Sequence, residues 1–600
     1  MFQLLEAQTE ASLISANTPD LDYLRLVRQA KKLNVTGLPS LKLALLSDAA
    51  TQQFVPLLRA LFQENGVALE IYEAPFDAME LEAINPDSGL YQFRPDVVLL
   101  AHCTQALRGR YYGNGGGDFL RQSSEQITGL WSTIQTRCSA RIVQCNFPLP
   151  YERQFGHFDL KVAHSLYSSV SELNMRLAEA AREQGNVLLC DVEALSSTIG
   201  RKYWFDDRLW NMSKAFCRLE YLPQVAQALV EIVLATRGRV VKCVVLDLDN
   251  TLWGGVVGDD GANSVAIGPH GDGEAFYHFQ QFLLSLKQRG ILLAVCSKNN
   301  YDTALLPFAE NPGMVLRRDD ITVFIANWEN KAGNIRKIRD TLEIGLDSMV
   351  FLDDNAFERN LVRQMLPGVI VPEMPEDPAD YVRALCECNL FETSSFSAED
   401  MARADLYQQE AGRREQRANY ASVGEYLESL DMRIEVGRFT KAKLPRIAQL
   451  LQRSNQFNLT TRRHNEAECE RMRLDWQGCI PLCASLSDRL GDHGLISIVI
   501  LERTPDALVI RDWLMSCRVL TRGVEQFLMN EVVEIAQQNG YKIILGEYVP
   551  TAKNAMVQDF FAQFGFENIA VTHWRLDVAN YVVNETYIQP ALEPVFAESN

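Results

Sequence analysis

Two aspartates stand directly after an apolar run, and this pattern restricts the fold more than any other in the chain. Val244, Val245 and Leu246 end a run that suits a buried strand, and Asp247 and Asp249 follow. Side chains at i and i+2 of an extended segment point the same way, so both carboxylates are expected to project together. The carboxyl ends of strands are where open α/β sheets bind ligands. Because adjacent carboxylates repel each other unless a cation lies between them, the pair predicts Mg²⁺. One carboxylate could attack a phosphorus or carbonyl centre while the other transfers a proton.

The stretch DLDNTLWGGVVGDD around this pair resembles the first motif of the haloacid dehalogenase (HAD) superfamily, D-x-D-x-T. The later motifs of that superfamily follow in order, as ILLAVCS at 291–297, Lys331 in NWENKAGN, and MVFLDDN at 349–355. The resemblance implies two groups of site residues. The metal ligands would be Asp247 and Asp249 with Asp353 or Asp354, and the phosphate oxygens would be bound by Ser297, Asn299 and Lys331.

Length and composition limit the class of protein. A chain of 600 residues suggests about three to five domains, and 47% hydrophobic with 22% charged residues is ordinary for globular protein. The net charge of −19 argues against nucleic-acid binding, and no apolar run is long enough to span a bilayer. Thirteen cysteines are scattered without a C-x-x-C, and the start of the chain does not resemble a signal peptide. We therefore expect reduced thiols and a cytoplasmic protein.

Residues 1–235 alternate apolar strand candidates with helical stretches, which predicts a parallel sheet with helices on both faces. The candidates are LKLALLS (41–47), PDVVLLA (95–101), ARIVQCN (140–146) and NVLLCDV (186–192). The pattern resembles an SGNH-hydrolase domain without its chemistry. Ser47 and Asp48 stand where that family has Gly-Asp-Ser, and Trp210 stands where it has the histidine of D-x-x-H. We interpret this domain as non-catalytic, used for docking or dimerisation.

The rest of the chain predicts three further parts and a tail. Residues 236–392 form the HAD-like domain, in which a helix with Phe276, Phe279, Leu283 and Leu286 on one face stops at Gly290. Residues 393–430 are expected to be a linker helix. Residues 431–580 read as strands followed by a helix that opens on a glycine-bearing turn, typical of a GNAT acyltransferase, and 581–600 as a tail of doubtful order. The predicted fold class is multidomain α/β, with SGNH-like, Rossmannoid HAD-like and α+β GNAT-like domains.

The segment MSCRVLTRGVE (515–525) is the second place where chemistry concentrates. The GNAT loop for the pantetheine pyrophosphate is Q/R-x-x-G-x-G/A, and Arg518, Thr521 and Gly523 occupy its key positions. Threonine replaces the first glycine, which tightens a loop whose backbone N–H groups bind phosphate. Cys517 precedes the loop and could hold an acyl group as a thioester, because Arg518 favours its thiolate. His493 could serve as its base, although a buried, inert cysteine and a structural histidine remain open. Asn554 and the segment FFAQFGF (560–566) resemble C-terminal GNAT elements.

Several strings together resemble the FkbH-like family over residues 240–570. They include DLDNTLWGGVVGDDG, NQFNLTTRRHN, GDHGL, MSCRVLTRGVE, GEYVPTAKN and QFGF. The resemblance implies that the glyceryl group of 1,3-bisphosphoglycerate is transferred through Cys517 to the phosphopantetheine of an acyl carrier protein, with release of phosphate, for polyketide-type biosynthesis. Two alternatives stay open: a HAD phosphatase acting on a small metabolite, and a non-enzymatic scaffold that docks a carrier protein.

Overall fold

The chain is described by a computed structural model that covers residues 21–113, 118–401, 407, 423–454, 457–489, 491–516, 519–520, 522–551 and 554–591. It contains two compact units, Asp20–Thr236 with Asn465–Glu468, and Arg237–His464 with Cys469–Asn600. The multidomain α/β class predicted from the sequence is confirmed. The domain boundaries and the SGNH-like character of the first domain stay predictions. Most of the predicted linker helix also stays a prediction, because 402–406 and 408–422 lie outside the described residues.

The first unit is built on a five-stranded parallel sheet with the order β2-β1-β3-β4-β5. Alternate residues of β1 reach different cores, because Leu43 and Leu45 face one helical layer while Ala44 and Leu46 face the other. The sequence missed β2, an edge strand of only intermediate burial. The strands are β1 Ser40–Ser47, β2 Ala68–Glu73, β3 Val97–Ala101, β4 Arg141–Cys145 and β5 Val187–Cys190. The α-helices are Tyr23–Ala30, Phe54–Glu64, Met79–Ile84, Gly89–Phe93, Thr104–Gly113, Phe119–Arg137, Leu166–Arg182, Val192–Ile199, Arg201–Trp204, Asp207–Ser213 and Leu222–Thr236.

The HAD-like part of the second unit has a four-stranded parallel sheet with the order β8-β7-β6-β9. The strands are β6 Cys243–Leu246, β7 Leu292–Ser297, β8 Val323–Ala326 and β9 Met349–Leu352. Since β6 lies between β7 and β9, the chain reverses its direction of winding beside β6, which is where such sheets bind ligands. The α-helices are Val257–Asp260, Glu274–Gln288, Tyr301–Glu310, Lys331–Leu342, Ala356–Met365, Tyr381–Glu387 and Ala398–Met401.

The C-terminal part of the second unit has an eight-stranded sheet with the order β15-β16-β14-β13-β12-β11-β10-β17. Strands β10 to β13 are antiparallel neighbours and are followed by the helix Val524–Gln538, as the sequence predicts. The helix leads to β14, which pairs in parallel with β13. The strands are β10 Met432–Arg438, β11 Cys479–Asp488, β12 Gly491–Arg503, β13 Leu508–Met515, β14 Ile543–Glu547, β15 Glu567–Ala570, β16 His573–Asp577 and β17 Ile588–Pro590. The other α-helices in this region are Val423–Ser429, Leu444–Arg453, Glu466–Leu474 and Phe560–Gln563.

Two local expectations have clear outcomes. The face formed by Phe276, Phe279, Leu283 and Leu286 is confirmed as core. Part of the segment predicted as a tail adds a strand, because β17 pairs in parallel with β10 and buries Ile588, while 592–600 lie outside the described residues. Among the described residues, every helix is too short or too polar to cross a membrane.

Two glycines that end helices predict different costs of substitution. Gly290 has φ +89°, and a Cβ there would lie 1.9 Å from the backbone oxygen of Asp400. Gly540 has φ +76° but no atom within 4 Å of the same position. We expect Gly540→Ala to cost about 1 kcal/mol of backbone strain and Gly290→Ala to cost roughly 2 kcal/mol more, because the backbone at Asp400 must also move. Urea unfolding of the two variants measures the difference, and equal losses would contradict the close approach.

Candidate functional site

Asp247 lies at the centre of the site because β6 lies at the point where the sheet reverses its winding. Its backbone N–H donates to Leu352 of β9, which holds the residue at the carboxyl edge. The residue is only 8% exposed. Asp247 Oδ1 is buried, and no described residue offers it a hydrogen bond. An orphaned carboxylate oxygen at this position is costly unless a cation or substrate occupies it.

Lys331 provides the positive charge of the site. Its Nζ lies 2.9 Å from Asp247 Oδ2 and 2.5 Å from Asp353 Oδ2, and the residue is 3% exposed. Burial would lower the pKa of Lys331, but the two carboxylates outweigh it and raise the pKa above its ordinary value. The lysine is the first residue of the helix Lys331–Leu342. The structure therefore keeps this ammonium group charged between two carboxylates.

Asp353 and Asp354 complete a cluster of three carboxylates with Asp247. One carboxylate oxygen from each lies within 4.8 Å of the others. Burial and then the negative charge of Asp247 raise the pKa of Asp353 to about 7, and the same two causes raise the pKa of Asp354. Several oxygen ligands around one unpaired buried oxygen fit a hard divalent cation such as Mg²⁺. The residues present therefore fit the metal that the sequence predicts.

The carboxylate of Asp249 points to different partners, which corrects the expectation that it projects with Asp247. Its Oδ1 accepts hydrogen bonds from Trp253 Nε1 at 2.9 Å and Val257 N at 3.0 Å, and its Oδ2 accepts one from Asn299 Nδ2 at 3.0 Å. Strand β6 ends at Leu246, so the alternation of an extended strand no longer applies two residues later. Asp249 is not one of the three clustered carboxylates, and its role as a metal ligand stays a prediction. Burial raises its pKa, which suits a group that exchanges protons.

The phosphate-binding candidates lie on the adjacent strand. Ser297 ends β7 and is buried, and Asn299 follows it and reaches Asp249. The structure therefore places Ser297 at the carboxyl end of the strand next to β6 and Asn299 against Asp249, while their phosphate contacts remain a prediction. Sequence reasoning missed Thr251, whose Oγ1 donates to Asp354 Oδ1 at 3.2 Å and accepts from the Asp354 backbone N–H at 3.1 Å. Its place as the threonine of D-x-D-x-T was the available signal.

Arg359 is a second residue that sequence reasoning missed. It is 5% exposed, and one of its terminal nitrogens donates to the backbone oxygens of Asp353 and Asp354, at 2.9 and 2.7 Å. The other donates to Glu373 at 2.7 Å. Arg359 therefore fixes the loop that carries two of the three clustered carboxylates. Its only sequence signal was a position one helical turn after MVFLDDN.

The second predicted site is only partly described. Cys517, Arg518 and Thr521 lie outside the described residues, so their roles stay predictions. Gly523 has φ +85° and precedes the helix Val524–Gln538, as the loop motif requires. His493 is 3% exposed, and its Nε2 lies 2.9 Å from Asp488 Oδ2 and 3.2 Å from a guanidinium nitrogen of Arg522. His493 is therefore held in a buried charged group, which supports a positioned side chain and leaves its action as a base untested.

Asn554 has an evident structural contribution. Its Oδ1 accepts from the Thr551 backbone N–H at 2.7 Å, and its Nδ2 donates to the backbone oxygens of Asn458 and Val549. The side chain is fully buried. It holds two loops together, and contact with phosphopantetheine stays a prediction.

A histidine–carboxylate pair near these loops was not anticipated. His464 Nε2 lies 3.0 Å from Asp512 Oδ2, and Asp512 on β13 is 1% exposed. Thr460 also donates to this carboxylate. His464 lies in the string NQFNLTTRRHN, which carried the family resemblance but received no role. A carboxylate that orients an imidazole is the second half of a nucleophile–base–acid arrangement.

The first unit shows no hydrolase arrangement at the predicted positions. Ser47 Oγ donates to the Ala101 backbone oxygen at 2.8 Å and is buried. Trp210 occupies the expected histidine position, and the ammonium group of Lys214 lies 4.9 Å from its ring centre. Ser47 therefore lacks the base that would activate it.

We expect Ser47→Ala to leave the hydrolysis of a short nitrophenyl ester unchanged, because the Ser47 hydroxyl is bound to the backbone oxygen of Ala101 on the neighbouring strand and has no catalytic role. The measurement is the rate with the full chain at equal protein concentration, with folding checked by circular dichroism. Loss of hydrolysis in a folded Ser47→Ala protein would show that the domain is an esterase.

Asp48 predicts a pH-dependent stability. Burial raises its pKa from 3.8 to about 7, although Arg110 and the Cys103 backbone N–H oppose the shift. The folded state therefore binds this proton more tightly than the unfolded state, and stability falls as pH rises from about 4 to about 7. We expect Asp48→Asn to raise the free energy of unfolding by about 3 kcal/mol at pH 8 and by about 1 kcal/mol less at pH 6. Urea unfolding at both pH values measures this, and a destabilised variant at pH 8 would contradict it.

Comparison with known proteins agrees with this geometry. Residues 42–234 match the family of the FkbH N-terminal domain. The solved N-terminal part of the protein BF1531 from Bacteroides fragilis, which contains a phosphatase domain and is complexed with Mg, is 40% identical over 62% of this chain and 100% of its own, with a TM-score of 0.60. No curated protein matches the chain.

Two acetyltransferases are more distantly similar. The ribosomal-protein-S18-alanine N-acetyltransferase of Escherichia coli is 12% identical over 24% of this chain and 94% of its own, with a TM-score of 0.20. The aminoglycoside acetyltransferase AAC(6')-Ib in complex with coenzyme A is 16% identical over 24% and 94%, with a TM-score of 0.19. Likeness at this level identifies neither activity nor ligand. The matched N-terminal family, the match over the whole solved N-terminal part of a relative with a phosphatase domain, and the D-x-D-x-T site together show that the chain belongs to the FkbH-like family.

Proposed function

We propose that this protein is a Mg²⁺-dependent phosphatase and glyceryl transferase of the FkbH-like family. The observation that carries the phosphatase part is the convergence of Asp247, Lys331, Asp353 and Asp354, with one buried oxygen of Asp247 unsatisfied. The similar Bacteroides fragilis structure is complexed with Mg, which supports the same ion here. When bound, the ion would neutralise phosphate charge and orient the group under attack.

The side chains of the site divide the phosphate chemistry among them. Asp247 is the proposed nucleophile, because its free oxygen lies at the sheet edge. Attack would form a bond from Asp247 oxygen to phosphorus and break the bond to the leaving oxygen. Asp249, whose pKa is raised by burial, would give that oxygen a proton. It would later take a proton from the water that attacks phosphorus, which breaks the Asp247–phosphorus bond, releases inorganic phosphate and restores Asp247. The positive charge of Lys331 would offset the negative charges of Asp247, Asp353 and the bound phosphate group.

The proposed substrate is 1,3-bisphosphoglycerate, because its acyl phosphate is already activated. The thiolate of Cys517 would attack the acyl carbon, form a thioester and release inorganic phosphate. His493 is the proposed base for that thiol. The thiol of phosphopantetheine on an acyl carrier protein would then attack the thioester, take the glyceryl group and restore Cys517. Arg518, Thr521, Gly523 and Asn554 are the proposed contacts of the pantetheine arm.

The experiment that tests the phosphatase part is phosphate release from freshly generated 1,3-bisphosphoglycerate, with Mg²⁺ or with excess chelator. A matched reaction without protein corrects for spontaneous hydrolysis of the acyl phosphate. We expect release above that background only with Mg²⁺. Equal rates with and without protein would favour the non-enzymatic scaffold. Release without loading of a carrier protein would favour the plain phosphatase.

A further inference from the structure

An open pocket in the first unit is lined by positive and aromatic side chains. It has a volume of about 580 Å³ and lies between the loop after β4 and the short helices near residue 200. The lining side chains that matter here are Tyr151, Arg153, His157, Arg201, Lys202 and Tyr203. We call these six residues the basic pocket. Its size falls within the range of pockets that accept a ligand or a partner's side chain.

The charge of the basic pocket is unusual for this chain. No carboxylate lines it, whereas the whole chain has 77 acidic and 58 basic residues. Arg201 is paired with Glu193 at 2.5 Å. Within the described ranges, Arg153 and Lys202 have no carboxylate partner, and their ring contacts are with Tyr167 and Tyr203, at 3.6 and 5.9 Å. Two cations held beside a cavity without anions leave a local positive potential, which favours an acidic partner.

Exposed aromatic rings surround the same pocket. Tyr151 is 65% exposed and Tyr203 is 52% exposed, and the loop that carries Arg153 also exposes Phe155 and Phe158 by more than half. Aromatic residues and arginine are enriched in protein interfaces, where such residues carry most of the binding energy. Exposed aromatics around a concavity mark an interaction site more clearly than scattered ones. The surface therefore offers both charge and apolar contact.

We propose that the basic pocket and its aromatic rim dock an acidic protein surface, with one apolar side chain of the partner entering the pocket. Where the partner is the carrier protein, this inference rests on the proposed function and adds the place where that protein binds. The exposure of Arg153 and Lys202 favours a protein over a small phosphate, because small phosphates are usually enclosed by buried donors. The concave shape favours a protein over a membrane, which cannot enter a pocket.

The test compares two double charge reversals in the full chain. Arg153→Glu/Lys202→Glu changes the basic pocket, and Lys31→Glu/Lys32→Glu makes the same change in charge at exposed positions outside its lining. The probe is a purified, acidic acyl carrier protein that bears phosphopantetheine, titrated at low and high salt. We expect the pocket variant to bind roughly tenfold or more weakly at low salt, the control to bind within about twofold of wild type, and salt to weaken the wild type more than the pocket variant.

Three further measurements decide between explanations. Phosphate release from 1,3-bisphosphoglycerate should be equal in all three proteins, so absent release in all of them would count against the proposed function and not against docking. Arg153→Ala/Lys202→Ala, which adds no negative charge, should also weaken binding if the cations contact the partner. Equal affinity of wild type and both pocket variants, or no binding by wild type, would overturn the inference. Binding of wild type to phosphatidylglycerol vesicles in place of the carrier protein would overturn it in favour of a membrane surface.

Discussion

Without a carrier protein, Asp247→Asn should abolish Mg²⁺-dependent phosphate release beyond the single equivalent that acylation of Cys517 liberates, while the protein stays folded. The substitution removes the carboxylate oxygen that no described group satisfies and that we propose as the nucleophile. Loss of such a group typically costs on the order of 10⁴-fold or more in rate. Lys331 keeps its ion pair with Asp353, and one of three crowded negative charges disappears, so stability without metal should be unchanged or slightly higher.

The matched control for this variant is Asp340→Asn, which removes an exposed carboxylate from the helix Lys331–Leu342. Its rate of phosphate release should equal that of wild type. Rates are measured with saturating Mg²⁺, and thermal unfolding is measured with chelator. Phosphate release near the wild-type rate by a folded Asp247→Asn protein would remove Asp247 from the mechanism.

Cys517→Ser should separate phosphate chemistry from acyl transfer. The thioester route requires a thiol, because an oxyester at serine resists attack by the thiol of the pantetheine arm. The variant should therefore release phosphate at the HAD-like site but load a carrier protein slower by on the order of 10⁴-fold or more. Loading is measured as the mass of the carrier protein after incubation with 1,3-bisphosphoglycerate and Mg²⁺.

Cys386→Ser is the control for this second variant, because Cys386 is an exposed thiol elsewhere in the same unit. It should load the carrier protein at the wild-type rate. Comparable loading by Cys517→Ser would mean that Cys517 is structural and that the glyceryl group passes directly to the pantetheine thiol.

The sequence predicted the HAD-like site well where local pattern and topology agree. Three short apolar runs identify strands that are buried on both faces of a parallel sheet. Two are followed directly by an aspartate, Asp247 or Asp353, and the third ends in Ser297. Parallel strands place their carboxyl ends at one edge, so motifs far apart in sequence were expected to meet. They do meet at Lys331, whose ion pairs join two strand ends.

The parts that the sequence missed depend on structure beyond the local pattern. The alternation rule placed Asp249 beside Asp247, but β6 ends first and the side chain turns to Trp253 and Asn299. The sequence also predicted no strand at β11, which contains Pro481, a residue that is unfavourable in a strand interior; the Pro481 carbonyl oxygen still accepts a hydrogen bond from the Phe439 backbone N–H. Strand β17 is only three residues long, so it forms only because it pairs with the edge strand β10. Short polar strands of this kind are specified by their neighbours more than by their own residues.

The most direct test of the account is the intact mass of the wild-type protein after incubation with 1,3-bisphosphoglycerate and Mg²⁺, followed by peptide mapping. We expect an added glyceryl or phosphoglyceryl group on Cys517, which disappears when a carrier protein with phosphopantetheine is added. An unmodified protein that nevertheless releases phosphate would contradict the transferase and leave a phosphatase.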